Sequence, residues 1–183
     1  MAKVVVLNGT SSAGKSTLAK AVQRLAVRPV LHVRMDDFLE MMPERYANHA
    51  DAFLFEQLET GDAPQTAIRT GPYGAKLVDG MKRAIAGLAD AGLDVIVDDV
   101  MLEPGDQDAY RENLSQHELA FVAVYCALDE AERRERERGD RSLGQARWQR
   151  GRVHEGVSYE LEVHTDAEPT DTTARRIVEA FSL

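Results

Sequence analysis

The chain has 183 residues, of which 44% are hydrophobic, and its formal net charge is −9 at pH 7. That length and hydrophobic fraction are enough for one globular domain with a packed core, and the acidic balance argues against a nucleic-acid partner, which requires a basic surface. The single cysteine, Cys126, excludes an intramolecular disulfide and a multi-cysteine metal site, and its apolar neighbours predict a buried position.

The N-terminal segment `MAKVVVLNG` lacks the charged, apolar and small-residue pattern of a secretory signal peptide. No apolar run approaches the length of about 18 residues that a membrane-spanning helix needs. We therefore expect a soluble cytoplasmic protein without a membrane partner.

Five apolar runs predict five strands, and the first is short, β-branched and suited to burial on both faces. The runs cover residues 3–8, 30–35, 93–100, 119–126 and 159–165. The second run, `VLHVRM`, is more polar than the others, which favours a place nearer the edge of a sheet. Helix-length segments separate the runs, so we expect a mostly parallel sheet covered on both sides.

Helices are predicted from apolar residues at spacings of three and four. This pattern follows the Gly-rich turn and recurs in 74–91. Two further helices are predicted, one at about 129–138 and one that closes the chain, where Thr170 or Thr172 is the expected cap. The segment 48–72 is the least regular part. We interpret it as helix and loop inserted between the second and third strands.

Residues 8–17, `NGTSSAGKST`, contain the spacing G-x-x-x-x-G-K-S between a predicted strand and a predicted helix. Such a loop, here called the P-loop, turns backbone N–H groups toward one point, and the helix N-terminus adds positive potential. Lys15 can reach the β- and γ-phosphates of a nucleotide, and the Ser16 hydroxyl suits the Mg²⁺ shell. The predicted nucleotide-binding residues of the loop are Gly9, Thr10, Ser11, Ser12, Ala13, Gly14, Lys15, Ser16 and Thr17.

Paired aspartates follow two of the predicted strands, at the edge where ligands bind in open α/β sheets. Asp36 is the predicted base for an acceptor hydroxyl, and Asp37 is expected to cap a helix that begins near Phe38 or to join the metal shell. Asp98 and Asp99 lie at the end of the third strand, and one of them is expected beside Mg²⁺ or in contact with the acceptor. The sequence barely separates these two, and Asp98 is preferred for the metal.

Arginines recur at four and three residues in `RRERERGDR`, and would share one side of a helix that persists across Gly139. We interpret Arg134, Arg138 and Arg141 as a cluster for the phosphoryl oxygens of the nucleotide, with Arg138 and Arg141 catalytic beside Lys15. The alternative is a solvated face, in which the interleaved acidic residues pair with the arginines. Those acidic residues are Glu132, Glu135 and Glu137.

The segments `VVVLNGTSSAGKST`, `MDDFLEMMP`, `VIVDDV`, `RERERGDR` and `VHEGVSYELEVHT` together resemble the chloramphenicol phosphotransferase family of small P-loop kinases over nearly the whole length. The resemblance implies a three-layer α/β fold with a five-stranded parallel sheet in the kinase order, and an arginine-bearing lid at about 129–153. It also implies ATP, Mg²⁺ and an alcohol acceptor on a small molecule. The matching residues are Asp36 as base, Lys15 and Ser16 in the P-loop, and the lid arginines Arg134, Arg138 and Arg141.

The resemblance weakens in 44–75, within the expected acceptor-binding insert at about 38–75. Its apolar residues could line a pocket for an aromatic antibiotic, although ordinary core is the preferred interpretation for most of them. These residues are Met35, Phe38, Met41, Met42, Phe53, Phe55 and Leu58.

Alternative functions stay open at this point. One is a kinase of another small hydroxyl compound, such as a sugar, a nucleoside or another antibiotic, and another is a nucleotide-binding regulatory or toxin-type module. A mononucleotide kinase is less favoured, because Arg69 stands nearly alone in 48–72, where a second phosphate would need a basic cluster. The sequence does not decide between ATP and GTP, nor whether the chain forms a homo-oligomer.

Overall fold

The computed structural model describes residues 1–59, 63–103, 105–139 and 142–183. The strands are β1 (Lys3–Asn8), β2 (Val30–Arg34), β3 (Phe53–Leu58), β4 (Gln65–Thr70), β5 (Asp94–Asp99), β6 (Glu118–Tyr125) and β7 (Leu161–His164). The helices are α1 (Lys15–Leu25), α2 (Met35–Glu40), α3 (Pro72–Asp90), α4 (Asp106–Asn113), α5 (Leu128–Arg138), α6 (Gln145–Gln149) and α7 (Thr170–Phe181), and a short 3₁₀ helix covers Glu44–Tyr46.

The central sheet has five parallel strands in the order β2-β5-β1-β6-β7. This arrangement confirms the five predicted strands, with the last one shorter than the predicted 159–165. It also places the polar second strand at the edge. The carboxyl ends of β1, β5 and β2 therefore meet at one rim, where parallel α/β sheets bind their ligands.

Helices cover both faces of the sheet and give three layers. Successive side chains on a strand face opposite sides, so Val5 and Leu7 pack with α1 and α7 while Val4 and Val6 pack with α3 and α4. All four are buried, and each such side chain contributes about 1.5–3 kcal/mol through its burial. The predicted stripe of α3 is confirmed at its centre, where Met81 and Ile85 are fully buried.

The prediction of helix and loop over 48–72 is wrong, because β3 and β4 form an antiparallel hairpin there. Phe53 lies opposite Thr70, and Phe55 lies opposite Ile68. These four side chains share one face of the hairpin, as the two-residue period of strands requires. Neither strand, `FLFEQL` or `QTAIRT`, is a continuous apolar run of the kind that predicted the first strand of the central sheet.

Two predicted helix starts are also wrong. Helix α2 begins at Met35 and not near Phe38, so Asp37 lies in its first turn and does not cap it. Helix α7 has Pro169 as its N-cap, and its cap makes no side-chain hydrogen bond. The carbonyl oxygen of Pro169 instead accepts hydrogen bonds from the backbone N–H groups of Thr172 and Thr173.

Helix α5 ends at Arg138 and does not persist across Gly139, whose φ of 64° is left-handed. Glycine adopts that conformation without a steric penalty and commonly ends helices. Glu135, which the alternative interpretation puts on a solvated face, is instead buried, and its carboxylate accepts hydrogen bonds from the backbone N–H groups of Gly144 (2.7 Å) and Ala146 (3.2 Å). The carboxylate thus joins α5 to the N-terminus of α6, where negative charge is favourable.

Two expectations from the composition concern Cys126 and the membrane. Cys126 is half-buried rather than fully buried, and partial burial raises the pKa of its thiol. Within the described ranges, no helix has both the length and the apolar character needed to cross a bilayer.

Candidate active site

The P-loop connects β1 to α1 and passes directly over β6. A Cβ atom on Gly9 would lie 2.3 Å from the carbonyl oxygen of Val124, so the loop takes this path only with glycine there. Ser12 and Gly14 both have a positive φ, of 59° and 90°. The buried Lys15 ammonium donates hydrogen bonds to the carbonyl oxygens of Gly9 and Thr10, at 2.9 Å each.

Ser16 and Asp98, predicted together as metal ligands, are in direct contact. The Ser16 hydroxyl donates a hydrogen bond to the Asp98 carboxylate. The Lys15 ammonium lies 3.7 Å from the same carboxylate, and His32 Nε2 lies 3.9 Å from it. Burial lowers the pKa of His32, which favours a neutral ring, so Lys15 is the positive charge that faces Asp98.

Asp98 and Asp99 point to opposite sides of β5. Asp99 accepts hydrogen bonds from the Tyr110 hydroxyl (2.8 Å) and from its neighbour's N–H at Val100 (2.7 Å), and burial raises the pKa of its carboxyl. Of the pair, Asp98 is therefore the carboxylate beside the P-loop, and Asp99 faces α4.

Two clefts open at the carboxyl rim of the sheet. The smaller, here called the P-loop cleft, has a volume of about 360 Å³ and contains residues of the P-loop, Asp98, Arg134 and Arg138. The larger, here called the hairpin cleft, has a volume of about 700 Å³ and lies between the hairpin, α2, α3 and α4. A volume of this size is typical of sites for drug-sized molecules.

The two clefts share a boundary. Met35, Asp36, Val100 and Arg138 line both of them. Asp36 lies in the first turn of α2, directly after the edge strand β2. A group at this boundary can touch a molecule in either cleft, so the structure brings Asp36 and Arg138 to one place.

The apolar residues predicted for an acceptor pocket divide into two groups. Met35, Phe53 and Phe55 line the hairpin cleft. Phe38 packs against the core, and Met41 is 66% exposed; Met42 and Leu58 are also outside the cleft lining. Core packing, the preferred interpretation for most of these residues, holds for Phe38, and also for Met35 and the buried Phe53, which belong to or pack against the core while they line the cleft.

The predicted arginines have different surroundings. The Arg134 guanidinium donates hydrogen bonds to Glu130 (2.8 Å) and to the hydroxyl and carbonyl oxygens of Thr165 (3.3 Å each), and it lies against Gly14. Arg138 is at the boundary of the clefts. Arg141 lies outside the described residues. The alternative interpretation, in which acidic residues of the same helix pair with its arginines at the surface, describes the neighbouring Arg133. Arg133 is exposed and forms ion pairs with Glu130 and Glu137.

Several polar residues around the P-loop were missed by the sequence analysis. The Ser11 N–H donates a hydrogen bond to the Gln149 side chain, and the Asn8 amide donates to the Val153 carbonyl and the Tyr159 hydroxyl, at 2.6 Å each. Asn8 directly precedes the first glycine of the motif, which is a usable signal. Gln149 offers no such signal, because α6 brings it to the P-loop from the other end of the chain.

His154 belongs to a ring cluster beneath the P-loop. It makes a 2.7 Å hydrogen bond with the Tyr159 hydroxyl, and its ring lies 4.4 Å from that of Tyr125. Burial, assisted by the positive charge of Lys15, lowers the pKa of His154 to about 4. His154 lines neither cleft, so these contacts give it a structural role.

The P-loop cleft has the donor set that a nucleotide and its metal need. The Ser12 hydroxyl is buried without a hydrogen-bond partner among the described residues. A hydroxyl that donates a hydrogen bond to a phosphate oxygen of the bound nucleotide would be in this state before the nucleotide binds. Ser16 and Asp98 offer the hard oxygen ligands that Mg²⁺ prefers. No cluster of three His, Cys, Asp or Glu side chains is found in the described part of the chain, so phosphate oxygens and water would have to complete the metal shell.

A family model described as chloramphenicol phosphotransferase-like protein matches residues 2–182. The chain belongs to this family. Two proteins of Mycobacterium tuberculosis, MT2714 of strain CDC 1551 and Rv2636 of strain H37Rv, are each 32% identical to it over 188 residues, covering 98% of this chain and 82% of the relative. Their names give O-phosphotransferase as a proposed activity. Membership confirms the resemblance found in the motifs, and the class of reaction is phosphoryl transfer to an alcohol group.

Solved kinases share the fold. APS kinase CysC of Mycobacterium tuberculosis, in complex with AMPPNP and APS, has a TM-score of 0.68 at 16% identity, covering 100% of this chain and 98% of that one. A sugar kinase from Janibacter sp. HTCC2649 has a TM-score of 0.67 at 16% identity, covering 100% and 95%. At this identity the similarity shows the fold alone, which is that of the P-loop kinases.

Proposed function

We propose that the protein is a cytoplasmic kinase that transfers the γ-phosphoryl group of ATP, with Mg²⁺, to a hydroxyl of a small molecule in the hairpin cleft. Chloramphenicol, or a similar aromatic antibiotic that phosphorylation would inactivate, is the proposed acceptor. The observation that carries this proposal is the shared boundary of the two clefts, where Asp36 and Arg138 line both. A nucleotide on one side and an alcohol on the other would meet there.

The P-loop cleft supports the nucleotide half of the proposal. Lys15 is the buried cation of the loop. The Ser12 hydroxyl, which has no hydrogen-bond partner among the described residues, would donate a hydrogen bond to a phosphate oxygen. Mg²⁺ held by Ser16 and Asp98 would neutralise charge on the β- and γ-phosphates. Arg134, which lies against Gly14 and donates a hydrogen bond to the Thr165 carbonyl after β7, would contact phosphoryl oxygens of the nucleotide.

Asp36 is proposed as the base. The acceptor oxygen forms a bond to the γ-phosphorus, the bond from that phosphorus to the bridging oxygen of the β-phosphate breaks, and the hydroxyl proton passes to the Asp36 carboxylate. In a loose transition state most catalysis comes from orientation and charge stabilisation. Arg138, with Arg141 proposed beside it, would stabilise the charge on the transferring group.

The hairpin cleft supports an acceptor that is partly aromatic and not anionic. Phe53, Phe55 and Ile68 give it an apolar wall. Two of its cations are already paired, Arg34 with Asp37 and Lys82 with Asp106. Because their positive charges are already neutralised, these two cations would contribute little to binding a second phosphate, which disfavours a mononucleotide acceptor. We assign the insert at about 38–75 to acceptor binding and the segment at about 129–153 to a lid over the phosphates.

The polar floor of the hairpin cleft favours a second candidate acceptor. Lys82, Asp99 and Asp106 lie beside the apolar wall, and such groups suit a compound with several hydroxyls. A sugar or another polyhydroxylated compound is therefore the alternative to an aromatic antibiotic.

Product analysis tests the proposal. The protein is incubated with ATP, Mg²⁺ and a library of alcohols that includes chloramphenicol, sugars and nucleosides, and the products are identified by mass spectrometry. We expect one phosphorylated alcohol with stoichiometric ADP, and no product with Lys15→Ala. ADP formation without a phosphorylated alcohol would contradict the proposal and favour a nucleotide-binding module that only hydrolyses ATP.

A further inference from the structure

The second carboxylate of β5 is buried on the wall of the hairpin cleft. Asp99 is 3% exposed and lines that cleft, whereas its neighbour Asp98 faces the P-loop. The proposed transfer reaction uses Asp36 and Asp98 and leaves Asp99 without a role. A buried carboxylate is costly to keep in a protein unless its oxygens are hydrogen-bonded.

Neighbouring groups fix the position of Asp99 before any ligand binds. The Val100 N–H donates a hydrogen bond to one oxygen (2.7 Å), and the Tyr110 hydroxyl donates to the other (2.8 Å). Tyr110 is fully buried, with its ring edge-to-face against Phe121 and the Lys82 ammonium 5.2 Å from its centre. Lys82 itself is paired with Asp106 at 2.6 Å.

These contacts leave hydrogen-bonding capacity on Asp99. A carboxylate has about four acceptor positions, and the two bonds described above occupy one on each oxygen. Water can fill the others while the cleft is open. A ligand that displaces this water must supply a donor in its place, because buried acceptor positions of a carboxylate that lose their hydrogen bonds to water carry a desolvation cost.

We propose that Asp99 is a specificity-determining residue that accepts a hydrogen bond from a second O–H or N–H group of the acceptor. The inference rests on the proposed function and narrows its substrate class to alcohols with a second donor, namely diols and amido alcohols. In this proposal Asp36 faces the hydroxyl that is phosphorylated. Asp99 accepts a hydrogen bond from the second donor, which is not phosphorylated. Simple aromatic alcohols fit the apolar wall but give no hydrogen bond to the remaining acceptor positions of Asp99.

Matched acceptors test the substrate class. The N-acetyl derivative of 2-amino-1-phenylpropane-1,3-diol is compared with N-acetylphenylalaninol, which lacks only the benzylic hydroxyl, and each is compared with its N-methyl amide, which lacks the N–H. Sites built to bind a substrate donor reject analogues without it by large factors, so we expect loss of one of the two donors to lower kcat/KM by at least about 100-fold. Equal kcat/KM across the four compounds would overturn the inference.

Two variants test the assignment to Asp99. In Asp99→Asn, the preference between the matched acceptors should fall to a few-fold, because an amide no longer requires a donor from the ligand. Tyr110→Phe removes one support of Asp99 but leaves its carboxylate, so that variant should keep the preference even if its stability falls. An unchanged preference in Asp99→Asn would show that Asp99 only supports Tyr110.

The outcome also separates this inference from the function on which it rests. Phosphorylation only of library alcohols that lack a second donor would overturn the inference and leave the kinase proposal standing. A protein that phosphorylates no alcohol at all would contradict both.

Discussion

The backbone N–H of Ser11 donates a 2.5 Å hydrogen bond to the side-chain carbonyl oxygen of Gln149, 138 residues further along the chain. Gln149 is 2% exposed, and it also lines the hairpin cleft. One side chain therefore supports the P-loop and bounds the proposed acceptor site. Glu135 in turn holds the start of the short helix that carries Gln149.

Replacing Gln149 should impair both catalysis and folding. Gln149→Leu leaves the buried Ser11 N–H without this acceptor, which costs about 1–3 kcal/mol. If the P-loop must be held in place for transfer, we expect kcat to fall about 10-fold, with a smaller change in the KM for ATP. Steady-state kinetics and chemical denaturation measure both effects.

Gln23→Leu is the matched control, because the exposed Gln23 amide donates its hydrogen bond to Val30, away from both clefts. Equal kinetics for Gln149→Leu and Gln23→Leu would show that the Ser11 contact has no role in transfer.

Arg138 is expected to act mainly in the transition state. Arg138→Ala should lower kcat more than it raises the KM for ATP, because charge at the boundary of the clefts grows as the phosphoryl group moves. Arg136→Ala, at an exposed position of the same helix outside both cleft linings, is the control. If Arg138→Ala changes only stability, Arg138 belongs to a solvated surface.

The ring cluster beneath the P-loop should make the fold sensitive to acid. His154 has its pKa lowered from the ordinary 6.5 to about 4, so the folded state binds fewer protons than the unfolded state between these values. The free energy of unfolding should therefore decrease as pH falls from about 6.5 to 4. His154→Gln, whose amide can still bond to Tyr159, should flatten this dependence in urea denaturation at pH 7 and pH 5. The same slope in the variant would contradict the assignment, and the exposed His49→Gln should leave the slope unchanged.

Sequence patterns predicted most of the central sheet because its signals are local and strong. The run Val4–Leu7 is buried on both faces, and the Gly9–Ser16 spacing fits only a turn between strand and helix. The aspartate pair that ends β5 was also informative, since a two-residue period puts Asp98 and Asp99 on opposite faces.

The acceptor side was predicted poorly because it depends on contacts between distant segments. Phe53 and Phe55 line a cleft only because β4 pairs with β3 and positions Ile68 and Thr70 beside them. The contact between Ser11 and Gln149 likewise depends on the path of α6. Glu135 resembled its exposed neighbours in a charged run, and only the start of α6 against it explains its burial.

Asp36 and Asp37 are adjacent carboxylates in the first turn of α2 with different surroundings. Asp36 lines both clefts, whereas Asp37 forms an ion pair with Arg34. Asp37→Asn is therefore a matched control for Asp36→Asn: the substitution is the same, one residue away, and it removes a carboxylate that lines neither cleft.

The kcat for phosphoryl transfer, measured together with the nucleotide Kd for these two variants, tests the central claim most directly. Asp36→Asn should lower kcat by roughly 10²–10⁴-fold, because a general base contributes about that much, while the Kd for nucleotide barely changes. Asp37→Asn should retain most of its activity. Full activity in Asp36→Asn, or loss of transfer in Asp37→Asn alone, would contradict the assignment of Asp36 as the base that faces the acceptor hydroxyl.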